Sequence, residues 1–338
     1  MELRNIIRNI DAEVYLETFL IAAVVSILAI RVFLYITGFP QIGSGDFHIA
    51  HMLWGGFFMT IAIIILLSFL NKGAMQIAAI LAGVGFGTFI DELGKFITSD
   101  NDYFFQPTIA LIYVIFVLFY FLFRFITRYQ KFTSKEYLIN AIEITKEAVI
   151  NDLDKDEEQR AFDYLKKSRA NGPIPQALKK LLDEIDAVPI PEESIIQKIR
   201  DFGKRVYHSL AKSNLIINLI LFSLVVQAGR NVYSILNVLI QRPELSFSEW
   251  GQLLSTLLSI GFILLALIKL RLGRREALHL FKFSVLTNIL LTQFFIFYHE
   301  QLSAVFGLGV NILVLLIINY ALFIEGVKAK DKSREIVV

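Results

Sequence analysis

The chain has 338 residues, 55% of them hydrophobic, and a formal net charge of +2. That composition excludes an ordinary soluble domain, which mixes polar and apolar residues more evenly. Cysteine is absent, so disulfides and thiolate chemistry are excluded and no redox compartment can be read.

Charge is confined to particular stretches. Residues 52–70, 103–123 and 302–324 contain no Asp, Glu, Lys or Arg, and each is long enough to cross a hydrocarbon core of ~30 Å as a helix. The first 14 residues mix Arg4 and Arg8 with Glu2, Asp11 and Glu13. That is not the basic start of a cleaved signal peptide, so the first apolar run is expected to remain as a helix. In chain order the spans are expected at 15–37, 49–70, 74–97, 103–125, 214–240, 250–269, 281–299 and 302–324. Lys and Arg then fall on alternating sides. Arg4, Arg8, Lys72, Arg128, Lys131, Lys135, Lys204, Arg205, Lys212, Arg271, Arg274, Arg275, Lys328 and Lys330 share one face, while on the other face loops 38–48 and 99–102 carry neither residue and 241–249 carries Arg242. The positive-inside rule makes the basic face cytoplasmic. The fold class expected is an all-α integral membrane protein of eight transmembrane helices with both termini cytoplasmic. Its parts are a four-helix membrane half over 1–126, a helical cytoplasmic domain over 127–212 and a second four-helix half over 213–338.

The 127–212 segment differs from its flanks. Leu138, Ala141 and Ile142 recur at helical spacing among charges, Asp154 before Glu157 and Glu158 marks a helix start, and Gly172-Pro173 and Pro189 to Pro191 punctuate it. Three or four amphipathic helices are expected. The acidic run Asp152 to Glu158 lacks the spacing of a calcium loop and is read as a solvated helix start.

Four features carry chemistry, and the topology gathers most of them at the outer face. The second span opens with Asp46, His48 and His51, the two His three apart and so on one helix face. The third span ends with Asp91, Glu92 and Lys95, and Asp100 and Asp102 follow in the outer loop. Arg31 lies within the outer half of the first span and should pair with Asp91 or Glu92, because an unpaired charge at that depth is expensive. Imidazoles facing carboxylates make a normal ligand set for a transition metal. His48, His51, Asp91 and Glu92 are therefore the candidate metal ligands, zinc the metal expected, and Arg31, Asp46, Lys95, Asp100 and Asp102 the supporting groups. The plainer alternative stays open: the two His as interface residues beside Trp54, and Arg31 in a structural ion pair. Gly83 and Gly87 at small-xxx-small spacing, with Gly55-Gly56 opposite, are read as packing positions between the second and third spans.

The second half echoes the first. Arg230 sits in the fifth span as Arg31 does in the first, and His299-Glu300 closes the seventh as Asp91-Glu92 closes the third. A parallel repeat would put these groups about a pseudo-twofold axis.

The segment TGFPQIGSGDFHIAHMLWGG, followed by GFGTFIDELGKFITSDNDYF, resembles an uncharacterised family of bacterial multi-pass membrane proteins over residues 31–126. The resemblance implies a bacterial inner membrane and nothing about mechanism. The HxxH pair with carboxylates is also reminiscent of ceramidase-like membrane hydrolases, which bind zinc through three His, but here His299, isolated in its span, is no clear counterpart of the third.

These readings leave three functions open. One is a metal or ion transporter or channel with the outer cluster as entry site. Another is a membrane-embedded metal-dependent hydrolase with Glu92 as general base on bound water. The last is a sensor whose 127–212 domain reports an outer ligand inside. The bilayer is the partner expected throughout, with a second copy of the chain and a cytoplasmic partner for 127–212 as candidates; nucleic acid is not expected.

Overall fold

The computed structural model describes residues 7–38, 50–128, 132–185, 214–241, 244–270 and 273–335. The chain is 85% helix, with no strand among these residues. Among the described residues six stretches are long and apolar enough to cross a membrane: Ala12–Thr37, His51–Ser68, Lys72–Ile90, Thr108–Thr127, Phe247–Lys269 and Arg274–Glu325. Their side chains leave a broad apolar exterior, with Tyr35, Leu67 and Phe306 among the most exposed, as lipid-facing helices require.

The chain divides into two compact units. Met1–Tyr103 and Leu118–Glu192 make the first, and Phe104–Val117 and Glu193–Val338 the second.

The first unit is built on α1 (Ala12–Thr37), α2 (His51–Ser68) and α3 (Lys72–Ile90), followed by the short α4 (Leu93–Ile97). Glycine determines how they pack. A Cβ on Gly83 would lie 2.4 Å from the Phe19 carbonyl oxygen, and one on Gly87 2.3 Å from that of Ala23, so this edge of α3 meets α1 backbone to backbone. A Cβ on Gly85 would lie 2.7 Å from the Gly55 carbonyl oxygen of α2. The expected pairing of Gly83 and Gly87 with the second span is therefore corrected: they face α1, and Gly85 faces α2. Residues two apart on a helix point in nearly opposite directions, so GVGFG serves two neighbours at once. A Cβ on Gly56 would meet nothing within 4 Å. Such close approach maximises dispersion where lipid supplies no hydrophobic drive between helices. Ser26 and Thr88 add a hydroxyl pair at 3.0 Å across the α1–α3 contact.

Beyond α5 (Thr108–Arg128) comes a small helical domain of α6 (Ser134–Thr145), a 3₁₀ turn (Lys146–Ile150), α7 (Lys155–Ser168) and α8 (Pro173–Glu184). Its helices start where the sequence supplies caps. Thr133 with Glu136, and Asp154 with Glu157, form reciprocal capping boxes. Ala141, Ile144, Leu153, Ala161, Leu178 and Leu182 form its core.

This domain is bonded to the start of α1 and to the α2–α3 turn. Arg8 grips Glu136 through two nitrogens at 2.7 and 3.0 Å, and its guanidinium stands 4.4 Å from the Phe132 ring centroid. The Asn140 amide donates to the Arg8 carbonyl and its oxygen accepts from Ile10 N–H, both at 2.9 Å. Arg160 pairs with Asp11 and Lys72 with Glu157, and Lys146 donates to the Leu70 carbonyl at 2.5 Å.

The hydrogen bond from Arg8 holds the Glu136 carboxyl down at about 2, against its ordinary 4.5. A carboxyl with a depressed folded-state value stabilises the fold above its unfolded value and loses that contribution as pH falls toward the folded one. Thermal unfolding in detergent should therefore weaken between pH 4.5 and 2 by an amount that Glu136→Gln removes. An unchanged slope in the variant would show that this bond does not hold the domain.

The second unit contains α9 (Asn214–Gln241), α10 (Phe247–Lys269), α11 (Arg274–Thr287), a π-helical turn (Asn288–Thr292), α12 (Gln293–Glu300), a 3₁₀ turn (Gln301–Ser303) and α13 (Ala304–Glu335). The stretch Arg274–Glu325 is not one rod. Gln301 takes φ +48° and ψ −128°, and the Gln293 amide donates to the Ala304 carbonyl at 3.0 Å, so the chain reverses between α12 and α13. Leu224, Ile263, Phe281, Val285, Val314 and Ile318 make a shared core of α9, α10, α11 and α13.

Candidate functional site

α3 ends at Ile90, and the chain turns through Asp91 and Glu92 before α4 begins at Leu93. A helix C-terminus carries partial negative charge, so two carboxylates there need cations nearby. The neighbouring helices supply them. The glycine contacts hold α1 and α2 close on either side of α3, which brings Arg31 from α1 and His51 from α2 to the same end.

Asp91 is fully buried and both its oxygens are used. Oδ1 accepts from Arg31 Nε at 2.5 Å, and Oδ2 accepts from the Tyr103 hydroxyl at 2.7 Å and lies 3.2 Å from His51 Nε2. A further guanidinium nitrogen of Arg31 donates to the Asp91 carbonyl at 3.3 Å. Glu92 is equally buried, but only half engaged. Oε1 lies 2.9 Å from His51 Nδ1 and 3.0 Å from Lys95 Nζ, while Oε2 is buried without a partner. The Tyr103 ring lies between the two long cations, 5.0 Å from the Arg31 guanidinium and 5.4 Å from the Lys95 ammonium.

His51 is the shared element. Each ring nitrogen faces a different carboxylate, and only a doubly protonated ring donates to both. With a neutral ring the charges of Arg31, Lys95, Asp91 and Glu92 cancel; with a protonated one the network carries a single positive charge. The His51 side chain is 24% exposed and that of Lys95 23%, so the network opens to its surroundings on the His51–Lys95 side.

The structure thus brings together Arg31, His51, Asp91, Glu92 and Lys95. Asp100 is exposed and Asp102 half-buried in the segment that follows α4, where Thr98 accepts the Asp102 backbone N–H at 2.8 Å. Asp46 and His48 lie outside the described residues. Tyr103 is the member the sequence reading did not single out; no periodicity marks it, because residues 98–107 are not helical.

Among the described residues no group of three or more His, Asp or Glu side chains is arranged to hold a metal ion. The reason is visible in the contacts. Both nitrogens of His51 and both oxygens of Asp91 are turned toward protein partners, leaving Glu92 Oε2 as the one free ligand atom of the three side chains. Zinc would need His51 to release its carboxylates and His48 to join.

The second half does not repeat this arrangement among the described residues. Arg230 and Glu300 are exposed, and no ion pair joins them. His299 packs edge-on against Tyr298, with ring centroids 5.4 Å apart, and its Nε2 is buried without a partner.

Fold and site together define an all-helical protein of membrane type, with a buried ion-pair network where its first three long helices converge. No protein-family model, curated protein or solved structure matches the chain significantly.

Proposed function

We propose that the chain is a polytopic membrane transport protein, an ion carrier or channel, whose outward-facing site in the first unit takes up a proton or a cation. The observation that carries this reading is the pair of fully buried carboxylates, Asp91 and Glu92, bridged by the single imidazole of His51. Buried ionisable groups in a spanning bundle are costly and are kept for function. Loss of one proton from His51 would break one of its two carboxylate contacts and free an oxygen beside Glu92 Oε2, so proton binding and cation binding compete at one place.

In this reading α1, α2, α3, α5, α9, α10, the α11–α12 leg and α13 are eight crossings of a bacterial inner membrane. Basic residues collect at the ends that carry the termini and the helical domain, which makes those ends cytoplasmic. The chain has no cysteine, so single cysteines at the exposed Ser99 and Lys179 should label from opposite sides with an impermeant reagent. Labelling from one side would sink the topology.

The functional test is flux. Purified protein in vesicles containing a pH-sensitive dye should move protons when a potential is imposed, and Glu92→Gln should reduce that flux at least tenfold. The same vesicles loaded with dyes for sodium, potassium or zinc decide whether a cation moves instead. Flux of none of these above empty vesicles would end the transport reading.

One observation favours a sensor as the second reading. α1 carries Arg31 near one end and Asp11, bonded to Arg160, at the other; α3 carries Asp91 at one end and Lys72, bonded to Glu157, at the other. Two rigid helices therefore join the charge network to the helical domain. A flux-silent protein whose α6–α7 amides change hydrogen-exchange rate in Asp91→Asn would establish that role; unchanged exchange would remove it.

A further inference from the structure

The second unit contains polar groups at a depth where the sequence carries no formal charge. α10 and α11 run antiparallel, and two contacts fix their register. The Ser259 and Ser284 hydroxyls are 2.8 Å apart, and nearer the α10 N-terminus a Cβ on Gly251 would fall 2.1 Å from the Phe295 ring. Between these contacts Thr256 comes level with Asn288, where the helix changes to π-helical form. On the other side, the bond from Gln293 to the Ala304 carbonyl fixes α13. Two turns further along α13, Asn311 reaches the same level.

The backbone is unusual at that level. Gln293 N–H donates to the Asn288 carbonyl, five residues back rather than four, and the Tyr113 hydroxyl from the start of α5 donates to the Ile289 carbonyl. A π-turn inserts one extra residue and re-aims side chains, and such turns recur at functional sites. The polar side chains that the register puts at that level are buried and partly unpaired. Thr256 and Asn311 are each 1% exposed, and Thr256 Oγ1 and Asn311 Oδ1 have no hydrogen-bond partner. Asn288 is 5% exposed, and its oxygen is 3.5 Å from the Thr292 hydroxyl. An amide oxygen buried without a donor pays its full desolvation cost with nothing to offset it.

The chemistry of the set limits its ligand. Residues 251–268, 283–298 and 301–324 contain no Asp, Glu, Lys or Arg. A divalent cation would need carboxylates to offset its desolvation, and an anion would need cationic or clustered donors. Asn311 Oδ1 is purely an acceptor, so it calls for a cation or a donor. Neutral hydroxyl, amide and main-chain oxygens are the usual ligands of a dehydrated alkali cation inside membrane bundles.

We propose that Thr256, Asn288 and Asn311 form a binding site for a monovalent alkali cation at the π-turn of the second unit. The site is separate from the charge network of the first unit and does not depend on its reading.

The test is thermal unfolding of the full chain in detergent, with sodium, potassium or lithium chloride exchanged against choline chloride at constant ionic strength. A saturable rise in the unfolding midpoint with one alkali cation is expected. It should be absent in Asn311→Leu and in Thr256→Val, whose midpoints in choline should equal or exceed that of the wild type because an unpaired buried polar atom has been removed. His51→Ala should keep the cation response. Identical midpoints in all salts would mean that ordered water alone satisfies these atoms and would overturn the proposal. So would a cation response that survives in both variants. If neither variant folds, radioactive sodium and rubidium binding to the wild type decides: saturable binding near one ion per chain supports the site, and non-saturable binding overturns it.

Discussion

Asp91→Ala should destabilise the first unit by about 3–5 kcal/mol, the cost of leaving one partner of a buried pair without the other. The loss is large because Asp91 serves three groups at once. Its removal leaves Arg31, 9% exposed, inside the bundle with no carboxylate, and leaves the Tyr103 hydroxyl and His51 Nε2 without their acceptor. Denaturant or thermal unfolding in detergent measures it. Asp91→Asn, which keeps the shape and one acceptor, should lose less. Pairing Asp91→Leu with Arg31→Met should recover much of the loss, since replacing both partners of a buried ion pair by apolar groups is often neutral or better. Equal losses in the single and double variants would show that the Arg31–Asp91 contact is not what stabilises this end of the bundle.

Gly87→Ala is the second large effect. The new methyl would lie 2.3 Å from the Ala23 carbonyl oxygen and 3.0 Å from its Cα. Both obstacles are backbone, so no side chain can turn aside, and α1 must move away from α3. Overpacking of this kind costs about 1–3 kcal/mol, and the movement also draws Arg31 away from Asp91. Gly56→Ala is the control. It meets nothing within 4 Å and removes a flexible glycine from a helix interior, so it should be neutral or stabilise by about 0.5–1 kcal/mol. Equal effects at the two positions would mean that helix propensity, not close packing, explains these glycines.

The long helices were legible in the sequence because each is an apolar run bounded by charge or turn residues. The meeting of Arg31 with Asp91 was legible for a related reason: a charge inside an apolar segment needs a partner, and few were within reach. The convergence of His51 with both carboxylates followed from the short connection between α2 and α3. What remained hidden was which helix faces which. Periodicity puts Gly83 and Gly87 on one edge of α3 and Gly85 on the opposite one, but it does not say that α1 takes the first edge and α2 the second. Tyr103 was hidden because a lone aromatic after a short irregular stretch carries no pattern. The bond from Arg8 to Glu136 joins residues 128 positions apart, and neither residue, exposed to a sequence reader, looks different from other surface charges. The echo between Arg31 and Arg230 was a likeness of spacing alone, and the exposed Arg230 shows how little spacing says about burial.

The bond between residues 8–11 and the helical domain also bears on how the protein is made. A ribosome releases Arg8 and Asp11 long before Glu136, Asn140 and Arg160 exist. Until then the amino end has none of these partners, while α1, α2 and α3 already hold everything needed to pack through their glycines. Closing so long a loop is slow compared with neighbouring-helix contacts. Every residue of the charge network at Asp91, through Tyr103, has therefore been synthesised before the domain that fastens the opposite ends of the same helices, so the Asp91 end of the first unit has its partners to hand first.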